Sequence, residues 1–192
     1  MAEHAEKIAT YADIEALPPH VTGEILFGRL YTQARPARRH AGAASVLGAL
    51  LTNPFQLGIG GPGGWTFIDE PELHLDDHVL VPDIAGWRND NVTEPPDQAH
   101  FKVAPDWACE ILSPGTESRD RGIKREIYAS NGVSHLWFVD PRPRLIEVYE
   151  LRGGVYALLE TVTGSAKVSA PPFTDVTFDL ELLWPFDKPE TS

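Results

Sequence analysis

The chain contains one cysteine, Cys109, so no disulfide can form within it and its core must be held by packing. No apolar run approaches the ~20 residues that a membrane-spanning helix needs. Met1 to Lys7 is polar and is not followed by a secretory hydrophobic core. These absences lead to the expectation of a cytoplasmic protein with no membrane partner. Basic residues are also scarce: 16 Lys and Arg stand against 28 Asp and Glu, a net charge of −12. That balance argues against bulk electrostatic attachment to nucleic acid, so any grip on phosphate must be local. There is no Gly-x-Ser-x-Gly elbow. The glycine-rich stretch Gly58–Gly64 lacks the Gly-Lys-Ser/Thr ending of a phosphate loop and reads as a turn. His74 and His78 stand four apart outside any helical pattern, which does not make a zinc pair. Cys109 sits in an apolar strand with no evident histidine partner and reads as a buried structural thiol.

What remains is enough for one domain over residues 1–192, with a core from about 22 to 183 and loose ends. Thr10-Tyr11-Ala12-Asp13 opens a short helix that Pro18-Pro19 closes. Thr22 to Gln33 predicts a hairpin around Gly28, and Pro36 opens a helix to about Asn53 with Val46, Leu47, Leu50 and Leu51 on its apolar face. Trp65 to Trp87 reads as a meander whose last strand starts at Asp83, followed by a long polar loop from Arg88 to Pro105. Trp107 to Leu112 is a strand, Thr116 to Asn131 a helix, and Ser134 to Val139 a strand, the pattern of a right-handed parallel crossover. Arg144–Leu151 and Gly154–Val162 form a hairpin, Ala166 to Val168 adds an edge strand, and Phe178 to Leu183 makes a last helical turn. The five tryptophans are expected in the core or at an interface.

The chemistry concentrates in three places: Pro82-Asp83, Glu110-Ile111-Leu112, and Lys124. A charge on a buried strand is costly unless it is paired or binds a metal. If Asp83–Trp87 and Trp107–Ile111 are antiparallel neighbours, Asp83 and Glu110 face each other, roughly 5 Å apart. Two carboxylates that close repel unless one is protonated or a cation lies between them. Mg²⁺ suits such a pair, with Mn²⁺ as a substitute, and the carbonyl of Ile111 supplies a third oxygen. Asp120 and Lys124 are i, i+4 and share a helix face that Tyr128 continues. The default reading of Asp120 and Lys124 is a surface salt bridge. The default for Arg35, Arg38 and Arg39, and for Arg119, Arg121 and Arg125, is a solvated helix face, and for His40 a helix-surface histidine.

Taken together, Pro82-Asp83, Glu110-Ile111-Leu112-Ser113-Pro114, Asp120, Lys124, Tyr128, Gly132-Val133 and Trp137-Phe138-Val139-Asp140-Pro141 resemble the Uma-type restriction endonuclease family, a branch of the restriction-endonuclease-like (PD-(D/E)xK) superfamily. The resemblance runs from about Gly23 to Leu182 and takes in Gly23-Glu24, Gly28 and His40. It implies a mixed α/β fold, with a restriction-endonuclease-like core in which α-helices flank a central mixed β-sheet, plus extra N-terminal and C-terminal β-hairpins. It implies Mg²⁺-dependent endonuclease cleavage of DNA phosphodiesters by a homodimer. In that scheme Asp83 and Glu110 are metal ligands, Lys124 is a lysine migrated from strand to helix, Glu24 is a helper acid, and His40, Asp120 and Tyr128 lend support. Leu112 stands where the superfamily places its lysine, so Lys124 must take that task. Two other readings compete: a catalytically idle dimeric scaffold, consistent with the net charge of −12, and a hydrolase of some other phosphate ester.

Overall fold

The chain moves between two β-sheets three times in its first half, and this alternation places the site. A computed structural model describes residues 8–33, 35–92 and 97–186. After the short helix α1 (Tyr11–Glu15), β1 (Thr22–Leu26) and β2 (Arg29–Gln33) form a hairpin. Phe27 and Gly28 at its tip both have positive φ, 49° and 72°, the backbone of a two-residue turn whose twist matches the flanking strands. Helix α2 (Arg38–Leu51) comes next and ends in a π turn over Thr52–Gln56. Then β3 (Trp65–Asp69) enters the large sheet, β4 (Leu73–Leu75) and β5 (His78–Leu80) return to the small one, and β6 (Ile84–Arg88) goes back.

The expected meander is therefore split. β4 and β5 complete a four-stranded sheet in the order β2-β1-β5-β4, whereas β3 and β6 pair with each other in a six-stranded sheet. The large sheet continues through β7 (Trp107–Ile111), β8 (His135–Asp140), β9 (Leu145–Arg152) and β10 (Val155–Thr163), in the order β10-β9-β8-β7-β6-β3. β7 and β8 are parallel and every other neighbouring pair is antiparallel, so the sheet is mixed. The segment between β7 and β8 is helical in three pieces: α3 (Glu117–Arg119), a π turn over Asp120–Lys124, and α4 (Arg125–Ser130). A π turn carries an extra residue relative to the α ladder and rotates the phase of the helix beyond it. The end of the chain also departs from expectation. Lys167–Val168 (β11) pairs with Phe178–Asp179 (β12) in a separate two-stranded sheet, and only Leu180–Leu183 makes a helical turn, a 3₁₀ one.

Each face of the large sheet is covered. On one side Trp107, Cys109 and Ile111 of β7 pack with Ala43, Leu47 and Leu51 of α2, and the Phe173 ring lies 5.1 Å from that of Trp107. On the other side Ala108 and Leu112 pack with Ile127 and Tyr128 of α4 and with Leu26, Leu73 and Leu80 of the small sheet. All five residues of β7 are buried. Strand alternation places Glu110 on the second side, beneath the small sheet and α4. Burial there contributes about 1.5–3 kcal/mol for each large apolar side chain, which gives the strand the rigidity to hold a buried acid. All five tryptophans are buried, as is Cys109.

Candidate active site

β6 and β7 are antiparallel, with Ile84 opposite Cys109, so Asp83 and Glu110 stand at adjoining strand ends as their spacing predicts. Asp83 turns over the end of β7, where its Oδ2 accepts a hydrogen bond of 2.6 Å from the backbone N–H of Ile111. Its Oδ1 lies 3.2 Å from Nε2 of His40 in the first turn of α2. Ile111 thus meets Asp83 through its N–H. Burial alone lowers the pKa of His40, but the Asp83 hydrogen bond and charge outweigh it and raise the value above the ordinary one. His40 is accordingly a site-facing residue, not the helix-surface histidine of the default reading.

Behind Asp83, Lys124 is 1% exposed and gathers the other acids. Its Nζ lies 2.6 Å from Glu110 Oε1, 3.0 Å from Glu24 Oε1 and 4.0 Å from Asp120 Oδ1, and donates to the carbonyl of Val81 at 3.1 Å. The Asp120–Lys124 pair is therefore buried, which overturns its reading as a surface salt bridge. Tyr128 donates its hydroxyl to Glu110 Oε1 at 2.6 Å, and Val81 N–H donates to Glu24 Oε1 at 2.9 Å. Val81 links β5 to Pro82-Asp83, so one residue uses its N–H on Glu24 and its C=O on Lys124. Burial pushes Lys124 down, but Glu110, Glu24 and Asp120 more than offset this and hold the ammonium above its ordinary pKa. Burial also pushes the Glu110 carboxyl and the Tyr128 phenol well up. With Oε1 of Glu110 facing both an ammonium and a hydroxyl donor, the charged pair is the state the geometry favours.

Arg119 joins the cluster, although its default reading is a solvated face. Its Nε lies 3.4 Å from Glu24 Oε2, and its guanidinium donates to Gln33 and lies over the Tyr31 ring. Arg38 and Arg39 are exposed on α2, as expected. A cleft of about 560 Å³ opens over this end of the sheets; Asp83, His40, Arg35, Arg119, Thr116 and Glu70 are among its walls. Glu70, Gln33 and the backbone of Val81 are site components that carry no signal in the sequence. Only their approach across the two sheets reveals them.

The acids outnumber the cations here. Glu24, Asp83, Glu110 and Asp120 face Lys124, Arg119 and His40. Oε2 of Glu24 and Oδ1 of Asp120 are buried without a hydrogen bond but lie 3.4 Å and 4.0 Å from Nε of Arg119, so it is the guanidinium that faces these two oxygens, and neither belongs to Asp83 or Glu110. The donors are hard carboxylate oxygens, which suits Mg²⁺. Among the described residues no three of these acids bring their oxygens within 4.8 Å of one another. A two-carboxylate site, filled out by water and substrate as Mg²⁺ prefers, is what the donors fit.

The profile of the Uma2 family, described as "Putative restriction endonuclease", matches residues 8–182. This chain belongs to the Uma2 family. The match spans both sheets, and every residue of the Uma2 chain named in the acid–lysine cluster lies inside it. A solved structure with the same fold is a "putative nuclease belonging to DUF820" from Anabaena variabilis ATCC 29413. It aligns with a TM-score of 0.71 at 20% identity, over 92% of this chain and 97% of that one. No curated protein matches this Uma2 chain. Among the described residues no helix is long and apolar enough to cross a membrane.

Proposed function

We propose that this Uma2 protein hydrolyses phosphodiester bonds in DNA, with Mg²⁺ or Mn²⁺ held by Asp83 and Glu110. The observation that carries the reading is the placement of Asp83 and Glu110 at adjoining strand ends, with Asp83 on the wall of a cleft and Lys124 of the helical segment 2.6 Å from Glu110 behind it. The chemistry the cation supplies is Lewis-acid activation of water and relief of charge on the phosphoryl oxygens. Ile111 N–H and His40 hold the Asp83 carboxylate in one orientation. Tyr128 and Lys124 do the same for Glu110. Lys124 is kept charged and fixed by Glu24 and the Val81 carbonyl, and from behind Glu110 it holds that carboxylate ionised and in place for the cation. Arg35 and Arg119 on the cleft wall give flanking phosphates the local grip that the overall charge does not provide. A homodimer would present two such clefts to one duplex.

The test is nicking of supercoiled plasmid, and cleavage of single-stranded DNA, with Mg²⁺ and Mn²⁺. Asp83→Asn is the informative variant, because Asp83 is part-exposed and its substitution leaves the buried cluster in place. Wild type is expected to cleave. Asp83→Asn and Lys124→Ala are expected to lose at least ~100-fold, in keeping with the removal of a group that stabilises transition-state charge. Cleavage by both variants at the wild-type rate refutes the proposal.

One observation favours a second reading, the idle scaffold: the Lys124 ammonium lies between Glu110 and Glu24 and offsets part of their charge from within the protein. Calorimetry with Mg²⁺ and Mn²⁺ separates the two. An absence of binding heat together with an absence of cleavage supports the scaffold.

A further inference from the structure

A second ligand set lies outside the acid–lysine cluster and plays no part in the proposed hydrolysis. Glu72 precedes β4 and His74 lies within it. Two residues apart on an extended chain, they project to the same face, while Leu73 between them points the other way and is fully buried. The third member, His100, comes from the long connection between β6 and β7. It is brought in by backbone pairing: Leu73 and Phe101 form a parallel bridge, with Phe101 N–H donating to the Glu72 carbonyl at 2.9 Å and His74 N–H donating to the Phe101 carbonyl at 2.8 Å. Phe101 is in turn stacked on Trp87, ring centroids 4.6 Å apart. The backbones of all three residues are thus set by contacts that do not involve their side chains.

The side chains converge. One carboxylate oxygen of Glu72 and one ring nitrogen from each histidine lie within 4.8 Å of one another. Nε2 of His74 is 2.7 Å from Glu72 Oε1, which also accepts the Tyr11 hydroxyl at 2.9 Å. The His74 and His100 rings stack with centroids 4.0 Å apart. A tetrahedral Zn²⁺ with bonds of roughly 2.1 Å sets its ligands about 3.4 Å apart, so the Glu72 oxygen and His74 nitrogen must part from 2.7 Å and the stacked histidine rings must turn out of parallel, adjustments made by side-chain rotation on a fixed backbone. Two imidazoles and a carboxylate are the donor set of a borderline transition metal, not of Mg²⁺. All three residues are half-buried, so the site has an approach from solvent, from which water would come as the fourth ligand.

We propose that Glu72, His74 and His100 bind Zn²⁺ and that the ion ties the β6–β7 connection to the four-stranded sheet. The tie bears on the cleft indirectly, because β6 and β7 are the strands whose ends carry Asp83 and Glu110.

Calorimetry with ZnCl₂ in excess Mg²⁺, on the full chain, is expected to give one Zn²⁺ per chain. Cobalt is expected to give the visible absorption of a four-coordinate site, and Zn²⁺ to raise the melting temperature. His100→Ala and His74→Ala should each weaken Zn²⁺ binding by more than about tenfold and abolish the cobalt spectrum, while Asp83→Asn leaves both intact. Glu72→Gln keeps the hydrogen-bonding shape without the charge, and should weaken binding while melting normally in the absence of metal. An absence of Zn²⁺ binding overturns the proposal and leaves a hydrogen-bonded cluster. Binding that survives both histidine substitutions but disappears in Asp83→Asn also overturns it, since the ion then sits among the acids.

Discussion

Replacing Lys124 with methionine keeps most of the volume and removes the charge. At an effective dielectric of about 20, the contacts of 2.6 Å and 3.0 Å with Glu110 and Glu24 correspond to gross attractions of about 6 kcal/mol each, most of which desolvation cancels. Deleting one member of such a cluster costs more than the pair is worth, about 3–5 kcal/mol, because it leaves the partners buried and uncompensated. The loss should fall near the lower end, since Glu24 keeps Val81 N–H and Arg119 while Glu110 keeps Tyr128. For a chain of this size that lowers the melting temperature by about 6–12 °C. The pH dependence has a definite sign. Burial raises the Glu110 carboxyl and the ammonium opposes that rise, so without Lys124 its folded-state pKa lies further above the unfolded value and the folded variant binds a proton more readily than the unfolded chain. Its deficit is therefore largest near neutral pH and shrinks as the pH falls toward 5. Adding Glu110→Gln removes one of the stranded charges and should recover a large part of the loss. Urea titrations of wild type, Lys124→Met and the double variant, at two pH values without divalent metal, measure all of this. A deficit under about 1 kcal/mol, or one that grows on acidification, refutes the claim that Lys124 is the charge balance of the cluster.

Two further substitutions probe the frame. Phe27 holds a left-handed conformation at the tip of the β1–β2 hairpin and is exposed. Phe27→Asn should stabilise by about 0.5–1 kcal/mol in denaturant titration, the relief of the φ penalty set against the lost edge contact with His78; a destabilised variant would mean that the contact dominates. At Gly86 in β6, a methyl group would lie 2.8 Å from the Phe67 ring and 3.3 Å from that of Trp107. Gly86→Ala should cost about 1–3 kcal/mol through overpacking, partly restored by Phe67→Leu; neutral behaviour in the same assay would show that the ring moves freely.

The parts of the site legible in sequence are those with a local signature. A charge in the apolar run of β7 announces itself, and its pairing with Asp83 emerges once the two strands are taken as neighbours across a long loop. Lys124 and Tyr128 come from helix spacing. Composition alone does not reveal whether Asp120 and Lys124 face water, because their burial depends on the small sheet lying over the helix. That sheet is itself hidden in the sequence: β4 and β5 have the turn signals of a meander, and only the contacts of Ile25 with Val79 and of Leu73 with Leu80 place them beside the N-terminal hairpin. Glu72 and His74 have the spacing of two ligands on one strand face, whereas the more conspicuous pair, His74 and His78, does not converge on a common partner. His100 is out of reach of local pattern, since it arrives through the single bridge from Leu73 to Phe101. Arg119 looks like part of a basic helix face until Gln33 and Glu24 come alongside it.

Val81, Pro82 and Asp83 span the gap between β5 in one sheet and β6 in the other, and the reactive groups are distributed on both sides of it. Glu24 moves with the first sheet and Glu110 with the second, while Val81 holds Glu24 and Lys124 through its peptide groups. Any tilt of one layer against the other therefore lengthens at least one of these contacts. The cluster acts as a latch across a seam, and a shift of one layer against the other would alter the charge balance of these buried acids directly.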